Sequence, residues 1–348
     1  MHDSSRTATI SSSIFNDGLQ AVLAFPSTTS QSISAIRCIW LPPSEGYTDP
    51  SVLMMHKLPR LRYLAIFLNV DWETGMAGLP SQPNQRLRAE SMCYLDLAQM
   101  PEETVLTAIC LTEHLEVLAL FDISASACRL PSMLRLHRLR RVRFGGKLGT
   151  TKELKLHELI VRSGISTLRS LAITLDYDRV TSVLASSAPC AVTHLDLIST
   201  EFLGGESGGC SNDSCAVNEP ARQRDHQRIK KLIEACPKLQ HLEMLEFHRD
   251  GFRQIMDSLL RPLSSLATRF HECRATDGDE RPLLCAMLRQ PHPAIANLQV
   301  LLPFIYDDQL EELCARRRIA LRQYSDLLSC LGTMGRFDSL FGRGNRWI

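Results

Sequence analysis

The sequence predicts an α/β fold built from stacked strand–helix coils, and three observations predict it. The first is a returning phrase: leucine, two residues, leucine, one residue, leucine. Clear copies are Leu61–Leu64–Ile66, Leu115–Leu118–Leu120, Leu168–Leu171–Ile173 and Leu239–Leu242–Met244. Weaker copies are Met92–Leu95–Leu97, Leu139–Val142–Phe144, Val192–Leu195–Leu197 and Ile295–Leu298–Val300, and the faintest are Ile33–Ile36–Cys38 and Leu263–Leu266–Thr268. The second is spacing. The middle residues fall at 36, 64, 95, 118, 142, 171, 195, 242, 266 and 298, most of them one repeat period of roughly 20 to 29 residues apart. The third is the helical periodicity between the phrases. Together they predict a leucine-rich-repeat solenoid, with a curved parallel sheet on the concave side and helices on the convex side.

Each element has its own signal. Within a phrase the last two apolar residues alternate with single residues, the period-2 mark of a strand with one buried face. Between phrases, Val180, Val183, Leu184 and Ser187 fall at i, i+3, i+4 and i+7, and so do Ile229, Leu232, Ile233 and Cys236. Prolines that cannot continue a helix stand two residues before the next phrase: Pro59, Pro237 and Pro293. A doubly wound α/β sheet would also alternate strand and helix, but it buries both strand faces and reads as continuous Val/Ile runs. Here Gln240, His241 and Glu243 interrupt the apolar residues. One face is expected to be wet.

Composition bounds the class. In 348 residues, 44% are hydrophobic and 22% charged, as in a globular protein. The net charge of +1 gives no global field toward nucleic acid or an anionic membrane. No apolar run reaches the roughly 18 residues that span a bilayer, and MHDSSRTATISSS lacks a basic-then-apolar leader. Of 12 cysteines, Cys38, Cys93, Cys236, Cys285 and Cys314 lie inside periodic segments, where the residue acts as a small apolar side chain. Reduced thiols and an intracellular site, cytoplasmic or nuclear, are the expectation.

Along the chain, residues 1–30 form a Ser/Thr-rich segment that reads as a possible cap, 31–321 the repeat domain, and 322–348 a tail. The first strand is expected at Ile33–Leu41. Helix Ser51–Lys57 follows, then an irregular loop over Asp71–Arg88 and a helix over Glu102–Cys110. Leu130–Leu136 leads to the Leu139 phrase, and helix Thr151–Ser163 to the Leu168 phrase. The single long spacing, from 195 to 242, holds a Gly-, Ser- and Asn-rich insertion at about 203–225 with little to bury, expected to be a mobile loop. Helices are then expected over Phe252–Leu260, Pro282–Arg289 and Gln309–Arg317, with Ile319–Leu321 closing the sheet.

The residues flanking the second leucine should face solvent and bind a protein partner. Before it stand Tyr63, Tyr94, Val117, Arg141, Ser170, His194, His241, Ser265 and Asn297; after it, Ala65, Asp96, Ala119, Arg143, Ala172, Asp196, Glu243, Ala267 and Gln299. Exposed aromatics and arginines anchor interfaces. The candidate set is therefore Tyr63, Tyr94, Phe121, Arg141, Arg143, His194, Asp196, His241 and Glu243. Any one of them could equally be a solvated strand residue. The run Arg138, Arg140, Arg141, Arg143 and Lys147 could meet an acidic partner or a phosphate. Without a basic stripe interleaved with aromatics, nucleic acid is not expected. Cys210 and Cys215 lack a second pair at zinc spacing, so neither metal nor cofactor is expected. His194 with Asp196, and His241 with Glu243, leave an enzyme or an enzyme regulator as the alternative, although a catalytic dyad needs a third group and a closed pocket.

The phrases LIVRSGISTLRSLAIT, VLASSAPCAVTHLDL, LIEACPKLQHLEM and QLEELCARRRIAL resemble the leucine-rich-repeat regions of fungal F-box-like proteins. The resemblance covers roughly residues 33–321. It implies a non-catalytic scaffold serving as a substrate-recognition component of a cullin-type ubiquitin ligase, with a ligase adaptor among its partners. Leu41-Pro42-Pro43-Ser44-Glu45 echoes the opening of an F-box, but no trio of amphipathic helices follows it.

Overall fold

In a computed structural model of the chain, residues 38–41, 63–67, 93–98, 100–112, 114–121, 123–125, 129–145, 155–173, 177–186, 190–198, 219–247, 249–270, 281–303 and 307–322 are described. The expected cap, helix Ser51–Lys57, the Asp71–Arg88 loop and the tail beyond Arg322 lie outside them. Backbone contacts divide the chain into two compact units, residues 1–168 and 169–348.

Among its described residues the first unit contains five strands: β1 (Cys38–Leu41), β2 (Tyr63–Phe67), β3 (Tyr94–Ala98), β4 (Val117–Phe121) and β5 (Arg141–Gly145). Each pairs in parallel with the next. Helix α1 (Glu102–Leu111) connects β3 to β4, and α2 (Lys155–Gly164) follows β5. The second unit runs β6 (Ser170–Ile173), α3 (Tyr177–Ser186), β7 (His194–Ile198), α4 (Glu219–Glu234), β8 (His241–Phe247), α5 (Arg249–Ser258) and β9 (Ser265–Phe270). It ends with α6 (Arg281–Arg289), a 3-10 turn (Pro293–Ile295), β10 (Val300–Pro303), α7 (Asp308–Arg316) and β11 (Ala320–Leu321). Here too every strand pairs in parallel with its successor. Neither unit reverses its strand order, as a doubly wound sheet does.

The phrase explains the core. Its middle residues stand in register: Ile39, Leu64, Leu95, Leu118 and Val142 in the first unit. In the second they are Leu171, Leu195, Leu242, Leu266, Leu301 and Leu321. Leu95, Leu118 and Leu171 are wholly buried, as are the leading Leu139, Leu168 and Leu263 and the trailing Leu97, Phe144 and Met244. Each buried leucine removes enough apolar surface from water to contribute about 1.5–3 kcal/mol. Helices supply the opposing wall. Phe252, Ile255, Met256 and Leu259 of the α5 segment are buried at i, i+3, i+4 and i+7, and so are Ile229, Leu232, Ile233 and Cys236. In the second unit α3 packs on α4, α4 on α5, and α6 on α7.

The coils also share one hydrogen-bond device. Ahead of each of six strands, two successive backbone N–H groups donate to a single carbonyl of the preceding coil. Glu116 and Val117 donate to Cys93, and Arg140 and Arg141 to Glu116. Thr193 and His194 donate to Arg169, Gln240 and His241 to Thr193, Ser264 and Ser265 to Gln240, and Gln299 and Val300 to Ser264, all at 2.7–3.2 Å. Side chains add ties at helix ends. The carboxylate of Glu102, 5% exposed, accepts from the N–H of Leu156 at the start of α2 (3.2 Å). That charge sits where the helix dipole favours it. Arg261 donates to the carbonyls of Cys236 (2.6 Å) and Ile233 (3.2 Å) at the end of α4, the matching cationic arrangement. Gly164 closes α2 because the chain passes close to its neighbour: a Cβ there would lie 2.9 Å from Cδ2 of Leu139.

Several expectations need correction. The first and last full strands are shifted by three residues. Ile39, not Ile36, pairs with Leu64, and Leu301, not Leu298, pairs with Leu266. Ile36–Ile39–Leu41 fits the phrase as well as Ile33–Ile36–Cys38, so the letters alone allow both frames. Near the C-terminal end, Pro293–Ile295 forms an extra 3-10 turn that carries the strand forward. Leu130–Leu136, which leads to the Leu139 phrase as expected, does so as irregular backbone from which Leu134 and Leu136 are buried. Helix α4 starts at Glu219, so the end of the 203–225 insertion is helical; the rest lies outside the described residues.

Candidate interaction faces

In the first unit the face opposite the leucines carries three rows. Tyr63, Tyr94, Val117 and Arg141 are in register, as are Ala65, Asp96, Ala119 and Arg143, and then Phe67, Ala98, Phe121 and Gly145. The period-2 alternation places Arg141 and Arg143 together, both half-buried, while Val142 and Phe144 between them enter the core. Phe144 stacks there on the buried ring of His157, with centroids 4.1 Å apart. Half-buried Phe121 lies over the bare backbone of Gly145: a Cβ on that glycine would fall 2.6 Å from its ring. Part of the ring is therefore committed to its own sheet.

In the second unit the upper row reads Ser170, His194, His241, Ser265 and Val300. The imidazoles of His194 and His241 stack face to face with centroids 3.9 Å apart at 15°. Nδ1 of His194 is 2.8 Å from Oγ1 of Thr193, and Nδ1 of His241 is 2.7 Å from Oγ of Ser265. Burial lowers the pKa of His241 below its usual 6.5, because a charged ring there would lose solvation. Ser170, 4% exposed, has no hydrogen-bond partner for its hydroxyl among the described residues.

The lower row is Ala172, Asp196, Glu243, Ala267 and Leu302. For this row the expectation of solvent exposure is corrected. Asp196 is 5% and Glu243 9% exposed, and Ala172, Ala267 and Leu302 are buried with them. Solvation of the row depends on what packs beside it, which alternation does not encode. The register shift also removes Asn297 and Gln299 from the two rows and puts Val300 and Leu302 there instead.

The sequence brought the two histidines to neighbouring strands, but their stacking and the Ser265 contact were missed. A signal was present: all three occupy the place before the second leucine. Among the described residues no group of three or more His, Cys, Asp or Glu is arranged to hold a metal ion. Free, buried Cys190 and Cys236 lie side by side behind this sheet. A hydrogen bond from Cys236 brings the Cys190 thiol down to about 7, and the same bond with burial pushes Cys236 well up. No helix among the described residues is long and apolar enough to cross a membrane. Neither the models of known protein families nor the curated proteins give a match to this chain.

Proposed function

We propose that the chain is a leucine-rich-repeat solenoid, with strands lining its concave side and helices its convex side, that acts as a non-catalytic protein-interaction scaffold. The observation that carries this reading is the repeated device of two N–H groups on one carbonyl, together with the in-register buried phrase. Equivalent coils that bury the same three positions leave the alternate positions free to vary. Repeat proteins use such a surface for partners rather than for chemistry. Tyr63, Tyr94, Arg141 and Arg143 form the partner-binding set of the first unit, with Phe121 beside them. In the second unit His194 and His241 form the accessible part of the set, over the buried Asp196 and Glu243. The likeness of the repeats to fungal F-box-like proteins supports a more specific form, substrate recognition for a cullin-type ubiquitin ligase. The buried free cysteines fit a reducing, intracellular compartment.

The test is affinity capture from cell extract with the full chain, beside a variant carrying Tyr63→Ala, Tyr94→Ala, Arg141→Ala and Arg143→Ala. The variant should keep its circular dichroism spectrum and lose the captured protein. Undiminished capture by the quadruple variant overturns the assignment of that face. Recovery of a ligase adaptor with the wild type supports the specific form.

A further inference from the structure

Charge in this chain is segregated more sharply than its net value suggests. Between Asp122 and Glu153 lie eight of its 39 basic residues and none of its 38 acidic ones. The remainder of the chain therefore carries seven more acidic than basic side chains. Six of the eight are arginines, Arg129, Arg135, Arg138, Arg140, Arg141 and Arg143, and the structure describes all six. Arg129, Arg135, Arg138 and Arg140 are exposed, and Arg141 and Arg143 are half-buried.

The backbone beneath them is held in place. Leu134, Leu136, Leu139, Val142 and Phe144 are buried between the arginines and anchor the segment from below. Further pins are the N–H of Leu134 donating to Oγ of Ser163 (2.9 Å), Oγ1 of Thr167 donating to the carbonyl of Leu139 (2.7 Å), and the paired N–H groups of Arg140 and Arg141 on Glu116. The cationic stretch is thus a pre-ordered surface, which lowers the entropic cost of binding. Arg138 stands in the turn closed by the N–H of Leu139 on the carbonyl of Leu136 (3.1 Å), and Arg141 and Arg143 follow on the extended strand β5. In the sheet, Arg141 and Arg143 stand beside Val117 and Ala119. Glu116, just ahead of Val117, meets the band through its backbone carbonyl.

We propose that this arginine band of the first unit receives an acidic, glutamate- and aspartate-rich segment of a protein partner. Guanidinium groups suit it because each offers a planar fork of donors to a carboxylate and stays charged at any physiological pH. A protein segment is favoured over nucleic acid because residues 129–143 interleave no Phe, Tyr or Trp with the arginines on which successive bases could stack. It is favoured over a membrane because the arginines lie on a strand and an irregular segment, not on an amphipathic helix. The proposal rests on the reading of the chain as a protein-binding scaffold and specifies the chemistry of its partner.

The experiment measures fluorescence anisotropy of a labelled ten-residue glutamate-rich peptide against the full chain, with a lysine-rich peptide of equal length as control. Single-stranded DNA and phosphatidylserine vesicles serve as competitors. The variant is Arg129→Gln, Arg135→Gln, Arg138→Gln and Arg140→Gln, four exposed side chains whose loss should leave the circular dichroism spectrum and thermal melt intact. The acidic peptide should bind, weaken as salt rises, and lose about tenfold or more in affinity with the variant. Equal binding of the two peptides, or equal binding by wild type and variant, overturns the proposal. Displacement of the peptide by DNA or vesicles at lower concentration than by unlabelled peptide overturns it in favour of that ligand. If the peptide fails while the Tyr63- and Tyr94-dependent capture persists, only the acidic-partner inference falls. If both fail, the scaffold reading falls with it.

Discussion

The sheet faces of the two units are built on one backbone plan and carry opposite chemistry. In the first, Arg141 and Arg143 stay half-buried beside Val117 and Ala119, and the arginines ahead of them are exposed. In the second, two imidazoles stack on each other and two carboxylates are more than nine-tenths buried. The difference teaches that the coil sets where a side chain stands, while its neighbours set whether it meets water. Long cationic side chains beside small residues remain reachable. Short acidic ones between packed neighbours do not.

The comparison can be broken or sharpened at three levels. The largest effect should come from what the faces share. Leu118→Ala in the first unit and Leu242→Ala in the second remove the same buried position of the same phrase. Each should cost about 2–5 kcal/mol, read from the shift in the urea midpoint. A loss under about 1 kcal/mol in either would break the claim that the coils are equivalent. Next come the helix-end ties. Glu102→Ala removes the buried carboxylate that caps α2, and Arg261→Ala removes the two donors at the end of α4. Each should lower stability by about 1–2 kcal/mol, with Glu102 the larger because it is the more buried. The smallest effect concerns His241. Its lowered pKa means that the unfolded chain binds the proton more readily than the folded one. Stability should therefore fall as pH drops from about 6.5 through the lowered native pKa. His241→Gln should flatten that part of the profile in urea titrations at stepped pH; an unchanged slope would show that the ring is solvated like a free histidine.

Much of the fold was legible because the signal is redundant. The Leu118 phrase is flanked by like phrases a period away, and Ile229, Leu232, Ile233 and Cys236 confirm the helical spacing between them. Legibility ended where two frames fit equally, as at Ile36 and Ile39, or where a proline-led 3-10 turn moved the strand start, as before Val300. The candidate residues were placed on the correct strands but given the wrong exposure at Asp196 and Glu243. Alternation distinguishes two faces of a strand and says nothing about what covers each one.

By itself, the sequence determined the repeat, the buried triplets, the positions of most helices and the segregation of positive charge between Asp122 and Glu153. Each of these depends only on residue type and spacing along the chain. The tertiary structure decided the register of the outer strands, the stacking of His194 on His241, the burial of the two carboxylates and the caps that Glu102 and Arg261 supply. Those are contacts between residues 25 or more positions apart, or between neighbours on separate strands, and they exist only once the coils lie side by side.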